Sequence, residues 1–102
     1  MAVFRVKKTK NYTVMSNTHL RDDKLTLKAK GLLSQILSLP EDWRYSIAGL
    51  TKLNSDGKDA VRSAIRELEK AGYIERRKIQ DEHGHFLVEY TIYEIPPDSE
   101  VG

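Results

Sequence analysis

KDAVRSAIRELEKAGYI, residues 58–74, repeats its apolar residues at helical spacing and then stops on a glycine. At about 100° per residue, Val61, Ile65, Leu68 and Gly72 fall in a narrow arc with Ala64 and Ala71 on its flank, so one face can pack while the rest is wet. Arg62, Arg66 and Lys70 follow the i, i+4, i+8 row on the opposite side, with Asp59 and Ser63 beside them. Gly72 suits the left-handed position that ends a helix, and Tyr73-Ile74 then reads as strand. The stretch predicts a rigid helix with a cationic row held outward. The same row also suits a solvated face, with Asp59–Arg62 or Arg66–Glu69 pairs using up the charge locally.

Upstream, Asn54-Ser55-Asp56-Gly57 reads as a turn, with Ser55 or Asp56 capping the following helix and Gly57 permitting a tight approach. Before it, Ser46 is a cap for a short helix through Leu53, with Ile47, Leu50 and Leu53 inward. Residues 40–45, PEDWRY, read as a loop. A longer helix precedes that loop. Thr26 is its N-cap, Leu25, Ala29, Leu32, Leu33, Ile36 and Leu39 form a wide apolar stripe, and Pro40 forbids continuation. Gly31 lowers helix propensity, which suggests close packing of another element there. Val3–Lys7 and Tyr12–Met15 are short β-favouring runs around a basic turn, Lys8-Thr9-Lys10-Asn11.

Downstream, Tyr73–Gln80 and Phe86–Ile95 are β-rich, and the second alternates Phe86, Val88, Tyr90, Ile92 with Leu87, Glu89, Thr91, Tyr93. Asp81-Glu82-His83-Gly84-His85 turns between them. Residues 96–102 have linker composition and read as a mobile tail behind a domain spanning 1–95. Two helices joined by a short glycine-containing turn, then a hairpin, make an α+β winged helix-turn-helix with a three-helix core and N-terminal short strands.

Composition bounds the function. The chain has 102 residues, no cysteine and no stretch of membrane-spanning length, so it reads as a single cytoplasmic domain without disulfides or thiolate metal sites. Net charge is only +2, but residues 1–30 hold eight Lys/Arg against two acids, and residues 58–78 hold seven against four. Residues 79–102 hold six acids and no Lys or Arg. That asymmetry steers a polyanion to one face.

Several segments together resemble the N-terminal helix-turn-helix domain of replication initiators and replisome organisers from phages, plasmids and conjugative elements of Gram-positive bacteria. They are TKNYTVMSNTHLRD (9–22), LTLKAKGLLSQILSLPEDW (25–43), YSIAGL (45–50) and GKDAVRSAIRELEKAGYIERR (57–77). The likeness runs from about Phe4 to Pro97. The recognition-helix pattern alone is also similar to GntR-type transcriptional regulators. The resemblance implies a module that binds double-stranded DNA, often tethered to a domain engaging replication proteins. Fold alone does not separate replication from transcription.

Groove geometry then selects residues. The third helix would present Lys58, Asp59, Arg62, Ser63 and Arg66 to base edges, with Lys70 reaching only backbone. Arg76, Arg77 and Lys78 on the first hairpin strand are phosphate candidates, and Lys7, Lys8, Lys10, Lys28 or Lys30 extend the footprint. The acidic tip, Asp81 and Glu82 with His83 and His85, departs from a wing that enters a minor groove. His83-Gly84-His85 reads as turn residues, not a metal site, and Asp22-Asp23, Glu41-Asp42 and Asp81-Glu82 as solvated turn acids. No catalytic residue, metal or cofactor is expected. The alternative is a protein-interaction module or homodimer using Trp43, Tyr45, Tyr90 and Tyr93.

Overall fold

The computed structural model of the chain describes residues 2–7, 10–40 and 46–97. Its elements run α1 (Leu27–Ser38), α2 (Ile47–Lys52), α3 (Lys58–Lys70), β1 (Ile74–Gln80) and β2 (Phe86–Ile92). This is the winged helix-turn-helix layout expected from the sequence.

Each helix begins and ends for a local reason. Thr26 is extended and its hydroxyl accepts the Ala29 N–H, which satisfies one of the orphan donors at the start of α1. Ser46 does the same for α2 through the Gly49 N–H, at 2.9 Å. For α3 the expected Ser55 or Asp56 cap is not used. The cap is Gly57, whose side makes no bond and has no close neighbour, so the turn ends one residue later than its polar residues suggested. Asn54 serves the other helix: its amide donates to the Leu50 carbonyl and exchanges two hydrogen bonds with Gln35 of α1.

At the far end of α3, Gly72 takes φ +90°. Its N–H reaches Glu69 O and the Tyr73 N–H reaches Leu68 O, the paired bonds of a Schellman stop. A side chain at this φ would be strained, and its Cβ would also meet Pro96 at 3.2 Å. Pro96 is buried there, one residue beyond the expected boundary at 95, and residues 98–102 lie outside the described residues.

The core is made where three helices and the hairpin base meet. Leu25, Ala29, Leu32, Leu33 and Ile36 come from α1 and the turn before it, Leu50 from α2, and Val61, Ala64, Ile65 and Leu68 from α3. Tyr73 and Ile74 close it from the hairpin, with Tyr90 and Ile92 packed against it. Full burial of such a side chain stabilises by about 1.5–3 kcal/mol. Leu53, expected inward, is 41 % exposed because α2 ends at Lys52 and Leu53 serves as its C-cap.

β1 and β2 pair antiparallel from Ile74↔Ile92 to Gln80↔Phe86. β1 starts at Ile74, not Tyr73, and β2 stops at Ile92, not Ile95, although Tyr93 N still bonds Tyr73 O. The turn is organised by Asp81, whose carboxylate accepts the N–H groups of His83 and His85, while Gly84 takes φ +83°.

Two further expectations fail. Val3–Lys7 and Tyr12–Met15 form no strand: their alternation is that of a strand, but no edge in the described fold pairs with them, and Val3, Phe4, Val6, Tyr12 and Val14 face solvent. Asn11 is left-handed (φ 64°), as a turn needs, while Lys8 and Thr9 lie outside the described residues. Gly31 admits no close neighbour, since a Cβ there meets nothing within 4 Å. It lines an open groove between α1 and α3 beside Leu27, Leu32 and Ala64. The loop residues 41–45, with Glu41, Asp42, Trp43 and Tyr45, lie outside the described residues.

Candidate nucleic-acid interface

α3 is divided cleanly. Val61, Ala64, Ile65 and Leu68 are buried, whereas Lys58, Asp59, Arg62, Ser63, Arg66 and Lys70 are exposed. Arg62 and Arg66 stand one turn apart, about 6 Å along the axis, and Lys70 another turn on. Neither local pair that would neutralise the row is formed. Among the described residues no acid lies within ion-pair distance of Lys58, Arg62, Arg66 or Lys70, and Glu69 turns instead to Arg76 on β1, at 3.7 Å.

The start of α1 lies against this helix. The Glu67 carboxylate accepts both the backbone N–H and the hydroxyl of Thr26, so an anion from α3 sits at the positive end of α1. Two residues along, Lys28 donates from Nζ to the Ser63 hydroxyl at 3.0 Å. Lys28 therefore adds a cation to the outward face of α3. Sequence periodicity offers no signal for this contact, because it joins residues 35 positions apart. Lys30 acts elsewhere, near His19 and Asp22, and Lys70 borders a cleft with Lys24, Asp22 and Tyr73. Lys7 and Lys10 are exposed outside the core, and Lys8 lies outside the described residues.

The hairpin cations are differently placed. Arg76 faces Glu69, Arg77 donates to Glu89 at 3.1 Å across the ladder, and Lys78 stands 4.5 Å over the Phe86 ring. All three were singled out from sequence as phosphate contacts, and all three have a partner within the chain. At the tip His85 is 3.5 Å from Asp81 and His83 is 3.7 Å from Glu82.

Behind α3 is a polar cluster that sequence reading missed. His19 is fully buried, its Nε2 is 2.8 Å from Ser34 Oγ, and its ring meets Tyr73 edge-on. The Ser34 hydroxyl already donates to Lys30 O, so Nε2 carries the hydrogen and Nδ1 is a lone pair without a partner among the described residues. Burial holds the imidazole below its ordinary pKa, with Glu94 opposing and Lys30 reinforcing. Asp22 is not merely a solvated acid. It accepts the Lys24 N–H and the Tyr73 hydroxyl, which keep its carboxyl below the usual range, and burial with the same bond pushes Tyr73 up to about 12. This cluster pins the turn before α1 to the stop after α3.

A family model described as a helix-turn-helix domain matches residues 23–74, from the turn before α1 to the first residue of β1. The chain belongs to the helix-turn-helix domain family. Membership supports DNA binding, with DNA as the expected partner. The match covers α1, α2 and α3 and ends where the hairpin begins. No curated protein matches the chain. No helix among the described residues is long and apolar enough to cross a membrane.

Proposed function

We propose that this helix-turn-helix domain binds double-stranded DNA in a sequence-specific way by laying α3 in the major groove. The observation that carries the reading is the division of α3: a buried inner face fixes the helix, and Lys58, Arg62, Ser63 and Arg66 stand outward without acid partners among the described residues. Arg62, in the second turn, is suited to bidentate recognition of a guanine, and Arg66 to a phosphate or a second base. Lys28, held against Ser63, extends the cationic face from α1, and Lys70 is left to the backbone.

Within this reading Arg76, Arg77 and Lys78 are secondary. Their partners Glu69, Glu89 and Phe86 must be given up, at least in part, before they can meet phosphate. The acidic tip stays clear of the duplex. The chain acts as a nucleoid-associated binding module in the cytoplasm, without catalysis or cofactor.

The biological setting proposed is replication initiation of a mobile element or prophage, which rests on the resemblance of residues 9–77 to replication initiators; contacts with replication proteins would then follow from neighbouring domains. Selecting bound sites from random duplex DNA tests the binding. A recovered motif whose affinity falls with salt supports it, because counterion release scales with the number of phosphates engaged. Recovery of no motif at low ionic strength overturns sequence-specific binding. Placing the selected motif in replicon origins or in promoters separates the proposed setting from transcriptional control.

A further inference from the structure

We infer that residues 2–7 form an interaction strand for a second copy of this chain, adding to the open edge of β2 in the partner. The segment makes no ladder in the described fold, yet Val3, Phe4 and Val6 are 75 %, 94 % and 79 % exposed. Contiguous apolar side chains in water are a mark of a surface meant to be covered.

The receiving surface is on the same molecule. The hairpin is a two-stranded sheet, and β2 has no further strand beside it among the described residues. An unpaired edge offers a row of backbone donors and acceptors, which is the basis of recognition by strand addition. On β2 the residues Phe86, Leu87 and Val88 are 63 %, 49 % and 55 % exposed, with Lys78 over one side of the Phe86 ring, so exposed apolar surface flanks the open edge.

Charge selects the occupant. Residues 2–10 carry Arg5, Lys7, Lys8 and Lys10 with no acid, whereas residues 79–102 carry six acids with no Lys or Arg. One segment complements the other, which favours a second copy over an unrelated protein. DNA is a poorer partner for residues 2–7, since Val3, Phe4 and Val6 have nothing to meet on a phosphate backbone. The inference is independent of the DNA reading of α3.

Sedimentation velocity over a range of concentrations tests it on the whole chain, the Phe4→Ser/Val6→Ser variant and the Phe86→Ser/Val88→Ser variant, with melting curves for each. The expected result is a parent that moves from monomer to dimer. Both variants weaken dimerisation by about tenfold or more, since truncating the apolar anchors of a small interface removes most of its affinity. At concentrations where the parent is monomeric the arm variant keeps the parent's melting temperature, and salt weakens the dimer. A parent that stays monomeric overturns the inference, as does a dimer indifferent to Phe4 and Val6. Because the chain has no cysteine, Val6→Cys and Val88→Cys chains mixed under mild oxidation report on placement. Disulfides between the two chains support exchange, and an intrachain bond in the doubly substituted chain at every concentration shows closure within one copy and overturns it.

Discussion

The i, i+4, i+8 row of α3 and the hairpin each carry three cations, Arg62, Arg66 and Lys70 on one and Arg76, Arg77 and Lys78 on the other, within 17 consecutive residues. On α3 they stand off a helix whose opposite side is locked in the core. On the hairpin, Arg76 and Arg77 meet acids and Lys78 meets an aromatic ring. Equal formal charge thus gives unequal readiness for a polyanion: a phosphate meeting Arg62 displaces water, whereas one meeting Arg77 must also displace Glu89. The comparison also explains why net charge was a poor guide, since what matters is which cations lack an internal counterion.

The strongest way to break the comparison is to remove the seat of α3. Leu68 is fully buried between the helix and the hairpin base. Leu68→Ala should cost about 2–5 kcal/mol of stability, the range for large-to-small core changes. Denaturant titration measures it. A loss under about 1 kcal/mol, well below that range, would mean that α3 is not held as described, and the rigidity of its cationic row would go with it.

How much of this was legible in the residues follows the reach of each interaction. α3 could be read because its signals are local: a 3.6-residue period, and Gly72 where a left-handed residue is needed. α1 and α2 were legible through Thr26, Pro40 and Ser46 for the same reason. The contacts that set the site were not. Thr26 with Glu67, Lys28 with Ser63 and Asp22 with Tyr73 join residues 35 to 51 positions apart, and no spacing rule reports them. The N-terminal runs show the converse. Alternation in Val3–Lys7 describes a strand's side chains, but a strand also needs a partner, which the described fold of one copy does not provide.

Next in size is the direct test of the outward row. Arg62 is exposed and away from the packing face, so Arg62→Ala should leave melting within about 0.5 kcal/mol of the parent and cost about 1–3 kcal/mol at the preferred site. Lys70→Ala should weaken preferred and scrambled duplexes alike, by less, because phosphate contacts carry no sequence information. Titration of both variants with both duplexes gives the four affinities. Parental binding by Arg62→Ala would reduce the row to a solvated face and turn attention to protein interaction.

The buried cluster that supports both regions is open to titration. His19 has its pKa held down in the fold, so below the ordinary imidazole range the unfolded chain binds a proton that the folded one refuses. Stability is therefore full above about pH 6.5 and falls as pH drops below it, by at most about 1.4 kcal/mol per pH unit for one proton. Tyr73 works at the other end. With its phenol raised to about 12, its contribution is whole below the ordinary pKa near 10 and is lost as pH rises from there towards 12. Melting curves from pH 7 down to 5 should fall for the parent and flatten for His19→Gln. An equal slope in both would place the titration elsewhere.

The smallest expected effect is the one that sharpens the comparison most. If Glu89 is what withholds Arg77 from DNA, Glu89→Gln should leave a cation without its counterion while keeping the strand's shape and its place opposite Arg77. The pair is largely exposed, so its loss should change stability by no more than about 1 kcal/mol. Affinity for duplex DNA should rise slightly, to the same extent for preferred and scrambled sequences, and the rise should fade with added salt as long-range charge is screened. Titrating parent and variant at two ionic strengths separates the cases. A gain confined to the preferred sequence would mean that Arg77 reads bases and that the hairpin is a second recognition element. No change at low salt would mean that Arg77 points away from the duplex whether or not it is paired, and position, not neutralisation, would then distinguish the hairpin from α3.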